Sequence, residues 1–373
     1  MRVLFVNRMA SMVRGGGETF DLEISRHLEL LGCETSFLSG IPVFGKAQSP
    51  LSRSRSFTIR TPYLGWFPWD QVKGGWRLRL ADFWIFEHSA AAWTAAHRDL
   101  FDIIQVCELP TFVLDWKRRG MKQPVVMRLT APDYVDNGGA MGKADAIIAS
   151  GATMEKVRQV RPDCIDIPNA VDAEQFKPQP SSFRTDHGIG PDEFVVLFVA
   201  RFQAVKNHKM LIEAFRLFRS SWPKARLVMV GSGPLESRIR EQCRQAGIEQ
   251  NVVFLGEVPH DRLPAVYAAA DLKVIASYYE SFCFAALEAM ASGLPLVVTE
   301  TDWVPRLIDR DRGGIVVALD DARGFAGALM RLAEDRTLRR NMGSFNRDKI
   351  EREFRWEVSA QKLASLYARL IPA

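Results

Sequence analysis

Two carboxylates lie eight residues apart in the last third of the chain, at Glu280 and Glu288. An apolar run at 272–276 predicts a buried strand before the first, and good helix formers at 284–291 predict a helix that carries the second. A helix N-terminus has free amide groups and partial positive charge, so it favours an anionic or hydroxyl-rich ligand. Because helical side chains lean back toward the N-terminus, both carboxylates can face one ligand.

Two cations lie five residues apart, at Arg201 and Lys206, between a predicted strand at 195–200 and a predicted helix at 209–221. Basic side chains beside a helix N-terminus can clamp a diphosphate. The alternative is a pair of solvated surface charges. If the two cations form a clamp, we expect neutralisation to lower turnover and to leave the melting temperature nearly unchanged, or to raise it slightly as like charges are relieved.

A glycine-rich turn, Arg14-Gly15-Gly16-Gly17-Glu18, follows a predicted strand at 3–6 and precedes a helical pattern. This order brings backbone amides toward a phosphate. The spacing is not GxGxxG, and no acid follows at the ribose-binding distance, so a nicotinamide-binding fold is poorly supported. The alternative is that the glycines only allow the turn.

The composition is that of a folded globular protein with more than one core. The chain has 373 residues, 47% of them hydrophobic and 25% charged, and a formal net charge of +5. This length favours two domains. The mild positive balance fits a phosphate-bearing ligand or an anionic membrane and gives no basis for a nucleic-acid partner. Five scattered cysteines predict reduced thiols in the cytoplasm, and no signal peptide or spanning helix is expected.

Strands alternate with helices along the whole chain, which predicts an α/β protein with two doubly wound, Rossmann-like parallel sheets. In such folds ligands bind at the carboxyl ends of the strands, and we expect the site in a cleft that the two domains face.

The stretch with Glu280, Glu288, Ala291, Gly293 and Pro295 resembles the donor-binding signature of the retaining GT-B glycosyltransferases, the large bacterial group 1 or family 4 type. The resemblance covers nearly the whole chain and is strongest over 194–299. The run Pro168-Asn169-Ala170-Val171-Asp172 is similar to the family's Pro-Asn-Gly-Val-Asp run. The family also has basic residues at the places of Arg201 and Lys206.

The resemblance implies an acceptor-side domain at 1–170 that includes a last helix at 354–373, a linker at 171–190, and a nucleotide-sugar domain at 191–353. It implies transfer of a sugar from a nucleoside diphosphate sugar to a hydroxyl of a sugar, lipid-linked or small-molecule acceptor, with retention, in glycan, polysaccharide or glycolipid synthesis. No metal or cofactor is implied. The catalytic residues would be Arg201, Lys206 and Glu280; the donor-binding residues Gly16, Gly17, Val258, Ser281, Phe282, Cys283, Phe284 and Glu288; and the acceptor-side residues Glu108, Arg128 and Thr130.

Three positions depart from the family pattern. Ser281 and Cys283 stand where the family has small residues, often Gly, and Thr130 stands where it often has a His. These departures keep open a non-catalytic sugar-nucleotide-binding module, and a related sugar-nucleotide epimerase is a second alternative. A glycoside hydrolase would also use paired carboxylates, but it would not need the two cations.

We expect the DxD sequence and the histidines of this chain to have structural roles. Asp309-Arg310-Asp311 spells a DxD metal motif, but it precedes two glycines and predicts a solvated turn. The histidines show no ligand spacing, and a surface or capping role is expected for each of His88, His97, His187, His208 and His260.

Residues 41–80 are rich in Pro, Ser and Gly and predict little regular structure. Basic and aromatic residues are mixed there, which is typical of a membrane interface or a sugar-acceptor site. They are Arg53, Arg55, Arg60, Trp66, Phe67, Trp69, Lys73, Trp76, Arg77 and Arg79. We expect a cytoplasmic protein, in peripheral contact with the inner membrane face if this segment binds membrane. The alternative is a partly packed excursion that only covers the core.

Overall fold

The structure is a computed structural model that describes residues 1–12, 16–43, 55–62, 75–130 and 137–372, with the side chains of 75–80 and 137 left out. The chain divides into two compact units. The first is Met1–Asn169 with Trp356–Ala373, and the second is Ala170–Arg355. The predicted linker at 171–190 falls in the second unit, and its buried residues Val171, Ala173, Phe176, Phe183 and Ile189 join that unit's core.

The first unit has one parallel sheet of seven strands in the order β3-β2-β1-β4-β5-β6-β7. In chain order its elements are β1 (Arg2–Val6), α1 (Gly16–Leu30), β2 (Glu34–Pro42), β3 (Arg55–Thr61), α2 (Gly75–Ala96), β4 (Ile103–Cys107), α3 (Pro110–Arg118), β5 (Val125–Arg128), α4 (Ala140–Lys143), β6 (Ala146–Ala149), α5 (Gly151–Arg158) and β7 (Ile165–Asp166).

The second unit has a parallel sheet of six strands in the order β10-β9-β8-β11-β12-β13. Its elements are α6 (Phe183–Asp186), β8 (Phe194–Val199), α7 (His208–Ser221), β9 (Ala225–Val230), α8 (Glu236–Gln245), β10 (Val252–Gly256), α9 (Leu263–Ala268), β11 (Leu272–Ile275), α10 (Phe284–Ala291), β12 (Leu296–Thr299), α11 (Val304–Leu307), β13 (Gly314–Val317), α12 (Ala322–Glu334) and α13 (Arg336–Glu353). The last helix, α14 (Trp356–Leu370), belongs to the first unit.

These sheets confirm the predicted fold class of two doubly wound α/β domains. In each sheet the strand order reverses once, between β1 and β4 in the first and between β8 and β11 in the second. The carboxyl ends of the strands on either side of such a reversal form a crevice where ligands bind in α/β sheets. The two candidate loops of the second unit follow β8 and β11.

Helices cover both faces of the second sheet, which explains its continuous apolar strands. Along β8, Val195 and Leu197 face one buried cluster and Val196 and Phe198 face the other. Successive side chains of a strand point to opposite faces, so a strand buried on both sides needs apolar residues at every position.

The helix α14 packs on the first unit through aromatic and polar contacts. The rings of Trp356 and Phe20 lie 5.8 Å apart, and the Tyr367 hydroxyl donates to Gln105 Oε1 over 2.6 Å.

Several elements differ from the sequence-based prediction. The segment at 41–80, expected to have little regular structure, contains β3, which pairs in parallel with β2, and the start of α2 at Gly75. The 18-residue α13 has no counterpart in the prediction. Its sequence is mostly polar, so the apolar period that marks a surface helix is weak.

The helix α13 fixes the turn that closes α10. A Cβ on Gly343 would lie 2.0 Å from the Gly293 carbonyl oxygen, so only glycine allows this approach. From the same helix, Asn346 Nδ2 donates to the carbonyl oxygens of Leu294 and Gly313, over 2.8 and 2.7 Å. Gly293 itself has a φ of 72°, the left-handed conformation that commonly ends a helix.

Candidate functional site

The loops after β8 and β11 meet in an ion pair. Lys206 Nζ donates to Glu280 Oε1 over 2.6 Å, and Ser277 Oγ donates to the same oxygen over 2.7 Å. The side chains of Lys206 and Glu280 are 20% and 11% exposed. A charge-assisted hydrogen bond with this little exposure is screened only weakly by solvent. The structure therefore brings together a residue predicted to bind phosphate and one predicted to bind sugar hydroxyls.

Arg201 follows β8 directly, on the same loop as Lys206, and its side chain is exposed. Within the described part of the chain its guanidinium has no ion pair. The two cations predicted to act together thus have different surroundings.

Glu288 lies in the second turn of α10 and is buried, with 7% of its surface exposed. The Tyr267 hydroxyl donates to its Oε2 over 2.7 Å, and His260 Nε2 lies 3.0 Å from its Oε1. Burial and the neighbouring Glu288 carboxylate raise the pKa of Tyr267 well above its usual value, so this hydroxyl stays protonated and keeps donating. Sequence reasoning missed both partners, because Glu288 is 21 and 28 residues distant from them.

Cys283 immediately precedes α10 and has a φ of 72°, in the left-handed region that side chains other than glycine rarely adopt. Burial first, and then the Glu280 charge, raise the pKa of its thiol to about 12, so the thiol stays neutral and is a poor nucleophile. Glycine adopts this left-handed backbone without strain, which gives a physical reason for the Gly that the family often has at this position.

The other predicted donor residues line the same edge of the second sheet. Phe282 is buried, and its ring lies 5.8 Å from that of Trp303 and 6.2 Å from that of Phe354. Ser281, Phe284 and Val258 are half-buried, the last in the loop after β10. Phe282 is thus a packing residue in the structure, and the more exposed neighbours are better placed to meet a ligand.

A buried lysine lies in the strand beneath this loop, and sequence reasoning missed it. Lys273, in β11, is 1% exposed, and its Nζ donates to the Val274 carbonyl oxygen over 2.8 Å. Burial lowers its pKa to about 8, while the charges of Glu280 and Glu288 oppose that shift. A positive charge in the apolar sheet therefore contributes to the electrostatics of the site.

In the first unit, the predicted Gly17 lies beside residues from β4 and β5. A Cβ on Gly17 would lie 3.7 Å from both Cys107 Sγ and Thr130 Cγ2, and 3.9 Å from an Arg128 nitrogen. Gly16 begins α1 and is exposed. The sequence prediction named all but Cys107 of these neighbours, and the strand order brings them to one edge.

The buried Arg128 ties together several parts of the first unit. Its guanidinium donates to the Gly17 carbonyl oxygen over 3.1 Å and to Asn169 Oδ1 over 3.2 Å, and it stacks 3.8 Å from the centre of the Phe20 ring. A carboxylate oxygen of Asp21 lies 3.7 Å away. Burial raises the pKa of Asp21 to about 6, and the Arg128 charge opposes that rise. In this structure Arg128 holds the first turn of α1 at Gly17.

Glu108 and Thr130 form a pair at the ends of β4 and β5. Glu108 Oε1 accepts both the Thr130 amide and the Thr130 hydroxyl, each over 2.6 Å. Glu108 also has a φ of 53°, an uncommon backbone conformation for glutamate. Such strain persists where surrounding contacts hold it, as the two bonds to Thr130 do here.

The expectation of a surface role is wrong for His208. It is 4% exposed and packs edge-on against Phe198 and Phe202, with ring centres 5.1 and 5.2 Å away. Burial and the nearby Lys206 charge lower its pKa to about 4, so it is neutral and acts as an aromatic core residue. Asp309 and Asp311 lie in a turn before β13, and Asp309 forms an ion pair of 3.0 Å with Lys349.

Comparison with known proteins identifies the second unit. The family model described as "Glycosyl transferases group 1" matches residues 181–349. This match confirms the predicted resemblance of this part of the chain to the group 1 glycosyl transferases. The matched range contains β8 to β13 and every predicted site residue of the second unit.

The curated relatives match through the same region. A D-inositol 3-phosphate glycosyltransferase of Corynebacterium jeikeium is 34% identical over 218 residues, which are 56% of this chain and 52% of the relative. The chain spans about half the length of the curated relatives it matches.

Solved structures share the fold along nearly the whole chain. Sucrose-phosphate synthase from Thermosynechococcus elongatus has a TM-score of 0.80 at 20% identity, covering 99% of this chain and 98% of its own. Anabaena HepE in complex with UDP-glucose has a TM-score of 0.78 at 19% identity, covering 99% of this chain and all of its own. These similarities show the GT-B glycosyltransferase fold.

In the described part of the chain, no helix is both long and apolar enough to cross a membrane.

Proposed function

We propose that this chain is a retaining glycosyltransferase that moves a sugar from a nucleoside diphosphate sugar to an acceptor hydroxyl, in the synthesis of a glycan, polysaccharide or glycolipid. The observation that carries the proposal is the Lys206–Glu280 pair, at the point where the strand order of a group 1 glycosyl transferase domain reverses. The solved complex of Anabaena HepE with UDP-glucose supports a nucleoside diphosphate sugar as the donor class.

In this mechanism the bond between the anomeric carbon and the diphosphate breaks, and negative charge grows on the leaving oxygen. Lys206, Arg201 and the first amides of α10 stabilise that charge where it develops. Glu280 accepts hydrogen bonds from the sugar hydroxyls. Glu288, which Tyr267 and His260 orient, accepts the ribose hydroxyls. The acceptor enters on the face that the diphosphate leaves, and a phosphate oxygen takes its proton, so no protein nucleophile is required.

Cys283 lies three residues after Glu280, and its neutral thiol is a poor nucleophile, as expected for a scheme without a covalent intermediate on this residue. The scheme also requires no metal or cofactor, since Arg201, Lys206 and helix amides supply the positive charge. Turnover that persists in excess EDTA is the expected result, and loss restored by Mg²⁺ or Mn²⁺ would contradict this part of the proposal.

A thermal-shift panel of UDP-, GDP- and ADP-sugars tests the donor, since a ligand that binds only the folded state raises the melting temperature. The donor that binds is then incubated with an acceptor extract, and the anomeric configuration of the product is read by NMR. Retention supports the proposal and inversion contradicts it. Donor binding without turnover would favour the non-catalytic module, and hydrolysis of a nitrophenyl glycoside would favour a hydrolase.

We also propose that the first unit contacts an anionic membrane surface from the cytoplasmic side. The supporting observation is the helix α2, which buries two carboxylates beside the apolar Phe86 and leaves two large apolar side chains exposed. Asp82 and Glu87 are buried, whereas Trp84 and Ile85 are 57% and 38% exposed. The helix has inward-facing partners for its charges: Asp82 pairs with Arg8, and Glu87 accepts the Phe112 amide over 3.0 Å.

Basic residues accompany this exposed face. Arg55 and Arg60 are exposed on β3, the edge strand that packs beside α2. Arg77 and Arg79 lie in the first turns of the helix, and Arg53, Trp66, Phe67, Trp69 and Lys73 of the predicted segment lie outside the described residues. Exposed Trp beside Arg is typical of segments that bind anionic membrane interfaces.

Sedimentation with phosphatidylglycerol vesicles tests this contact. We expect binding at low salt that falls at high salt, little binding to phosphatidylcholine vesicles, and weaker binding by Trp84→Gln. Trp222→Gln, which changes a tryptophan of the second unit, is the matched control and should bind as the wild type does. Equal binding to both vesicle types, or none, would contradict the proposal.

A further inference from the structure

A carboxylate in the loop between β13 and α12 bonds to both loops of the candidate site. Asp320 Oδ1 accepts Asn207 Nδ2 over 2.9 Å and the Tyr278 hydroxyl over 2.8 Å. Asn207 directly follows Lys206, and Tyr278 lies two residues before Glu280. One oxygen atom therefore joins the segment that carries the cation to the segment that carries its carboxylate partner.

The backbone geometry at both ends shows that this contact is specific. Asn207 is buried with a φ of 50°, and Asp320 has a φ of 59°. Left-handed backbone costs free energy for residues with side chains, although Asn and Asp tolerate it better than most. Two such residues facing each other through a hydrogen bond indicate that the contact stabilises both conformations.

The neighbouring aspartate has a separate task. Asp321 precedes α12, and its Oδ1 accepts the Gly324 amide over 2.8 Å, as a helix N-cap does. The helix terminus is therefore satisfied without Asp320. The carboxylate of Asp320 contributes to the two site loops, not to the helix.

The two loops also touch each other. The Tyr278 amide donates to the Val205 carbonyl oxygen over 2.9 Å. This bond fixes the distance between the backbones of the two loops. The bonds to Asp320 fix the side chains of Asn207 and Tyr278, which lie next to Lys206 and near Glu280 in sequence. Hydrogen bonds to a charged acceptor are stronger than neutral ones.

We propose that Asp320 is a positioning residue that holds the Lys206 loop and the Glu280 loop in the register that the donor-binding site needs. Asp320 acts through Asn207 and Tyr278 and does not itself touch the donor. The inference rests on the proposed function for the use of the site, and on the contacts alone for the joining of the loops. The hydrogen bond with Asp320 also raises the pKa of Tyr278, as expected for a phenol that donates to a carboxylate.

The test uses two substitutions that keep the left-handed backbone. Asp320→Gly removes the carboxylate, and glycine adopts a positive φ without cost. Asp320→Asn keeps an oxygen that can accept both bonds, and asparagine also tolerates this conformation. Asp321→Ala is the matched control, since it removes the adjacent carboxylate and the helix cap and leaves both site loops joined.

Amide hydrogen exchange measures the loops without any ligand. We expect residues 203–208 and 277–283 to exchange about ten times faster or more in Asp320→Gly, the scale of a lost hydrogen bond to a charged group. Asp320→Asn should restore most of the protection. Asp321→Ala should lower the melting temperature and leave these two segments as in the wild type. Unchanged exchange in Asp320→Gly, or equal loosening in Asp321→Ala, would overturn the joining of the loops.

Calorimetric titration with UDP and with GDP measures the consequence for the site. We expect the nucleotide that binds the wild type to bind Asp320→Gly about tenfold more weakly, and Asp320→Asn and Asp321→Ala nearly as well as the wild type. If the wild type binds none of the UDP-, GDP- and ADP-sugars of the thermal-shift panel, the proposed donor class fails while the exchange result still decides the joining of the loops. Wild-type affinity in a loosened Asp320→Gly protein would overturn the positioning role.

Discussion

Replacing Lys206 by Ala should change both the stability and the turnover of the protein, whereas replacing Arg201 should change turnover alone. The structure separates the two cations. Lys206 donates to Glu280 over 2.6 Å in surroundings where the two side chains are 20% and 11% exposed, and Arg201 is exposed. The sequence alone led us to expect an unchanged melting temperature for both variants, and the ion pair gives a different expectation for Lys206.

The size of the effect follows from these contacts. A hydrogen bond to a charged group contributes about 1.5–3 kcal/mol, and the small exposure of this pair requires only a modest reduction, to about 2 kcal/mol. Glu280 keeps the bond from Ser277 in the variant, which limits the loss. For a domain the size of the second unit, about 2 kcal/mol lowers the melting temperature by roughly 4–8 °C. Arg201→Ala and the control Lys209→Ala, which changes an exposed lysine at the start of α7, should each stay within about 0.5 kcal/mol of the wild type.

The effects of these variants on turnover should differ from their effects on melting temperature. If both cations stabilise the leaving diphosphate, each Ala variant should lose about 10²–10³ in kcat, with a smaller loss of donor affinity, because the charge grows in the transition state. Lys206→Arg should regain melting temperature by pairing with Glu280 but not kcat, since a planar fork does not replace a compact ammonium. The double Ala variant should lose less than the product of the single losses, because both cations serve one diphosphate.

The assays are scanning calorimetry and steady-state kinetics at saturating donor, with the donor taken from the thermal-shift panel. A Lys206→Ala protein that melts within 1 °C of the wild type, far less than the shift of roughly 4–8 °C expected here, would refute the energetic role of the pair. Turnover within twofold of the wild type for Arg201→Ala and Lys206→Ala, against an expected loss of about 10²–10³, would refute the clamp.

Substitutions at three further positions test other parts of the site and the fold. Glu288→Gln should lower kcat/KM at least tenfold, since a charged hydrogen bond contributes about 1.5–3 kcal/mol, and unchanged kinetics with the identified donor would remove Glu288 from the site. Burial raises the pKa of Glu87 to about 7 from 4.5, so the wild-type protein loses stability as the pH rises through this window. The stability of Glu87→Gln relative to the wild type should therefore be about 3 kcal/mol more favourable at pH 8 than at pH 4. An equal difference in melting temperature between the two proteins at both pH values would contradict this. Cys283→Gly should be more stable than Cys283→Ala by about 1–2 kcal/mol, because only the glycine escapes the cost of a left-handed backbone, and urea unfolding of the pair would show it.

The sequence predicted the fold class and the local motif well, because both are encoded at short range. Glu280 and Glu288 lie on one loop and helix, and the glycine and proline that close the helix follow within seven residues of Glu288. The strands of the second sheet are apolar at successive positions, which indicates burial on both faces. The local motif and the buried strands can therefore be predicted without knowing the strand order.

The contacts within the site could not be predicted in this way. Lys206 and Glu280 are 74 residues apart, and Asn207 and Asp320 are 113 apart. Only the strand order, which places β8 beside β11, brings such residues together. The polar helix α13 escaped prediction for a related reason: its place is set by a close approach at Gly343, and a contact of this kind leaves no periodic pattern.

The pairing of Glu280 with Lys206 bears on how a donor could bind. A phosphate that draws Lys206 away leaves the Glu280 carboxylate with the Ser277 hydroxyl alone, and a nearly buried charge that loses a partner costs free energy. Sugar hydroxyls that donate to Glu280 offset that cost. A nucleoside diphosphate without its sugar cannot supply these donors. Under the proposed function, the same ion pair would therefore favour the intact nucleoside diphosphate sugar over the diphosphate product and would help the product to leave after transfer.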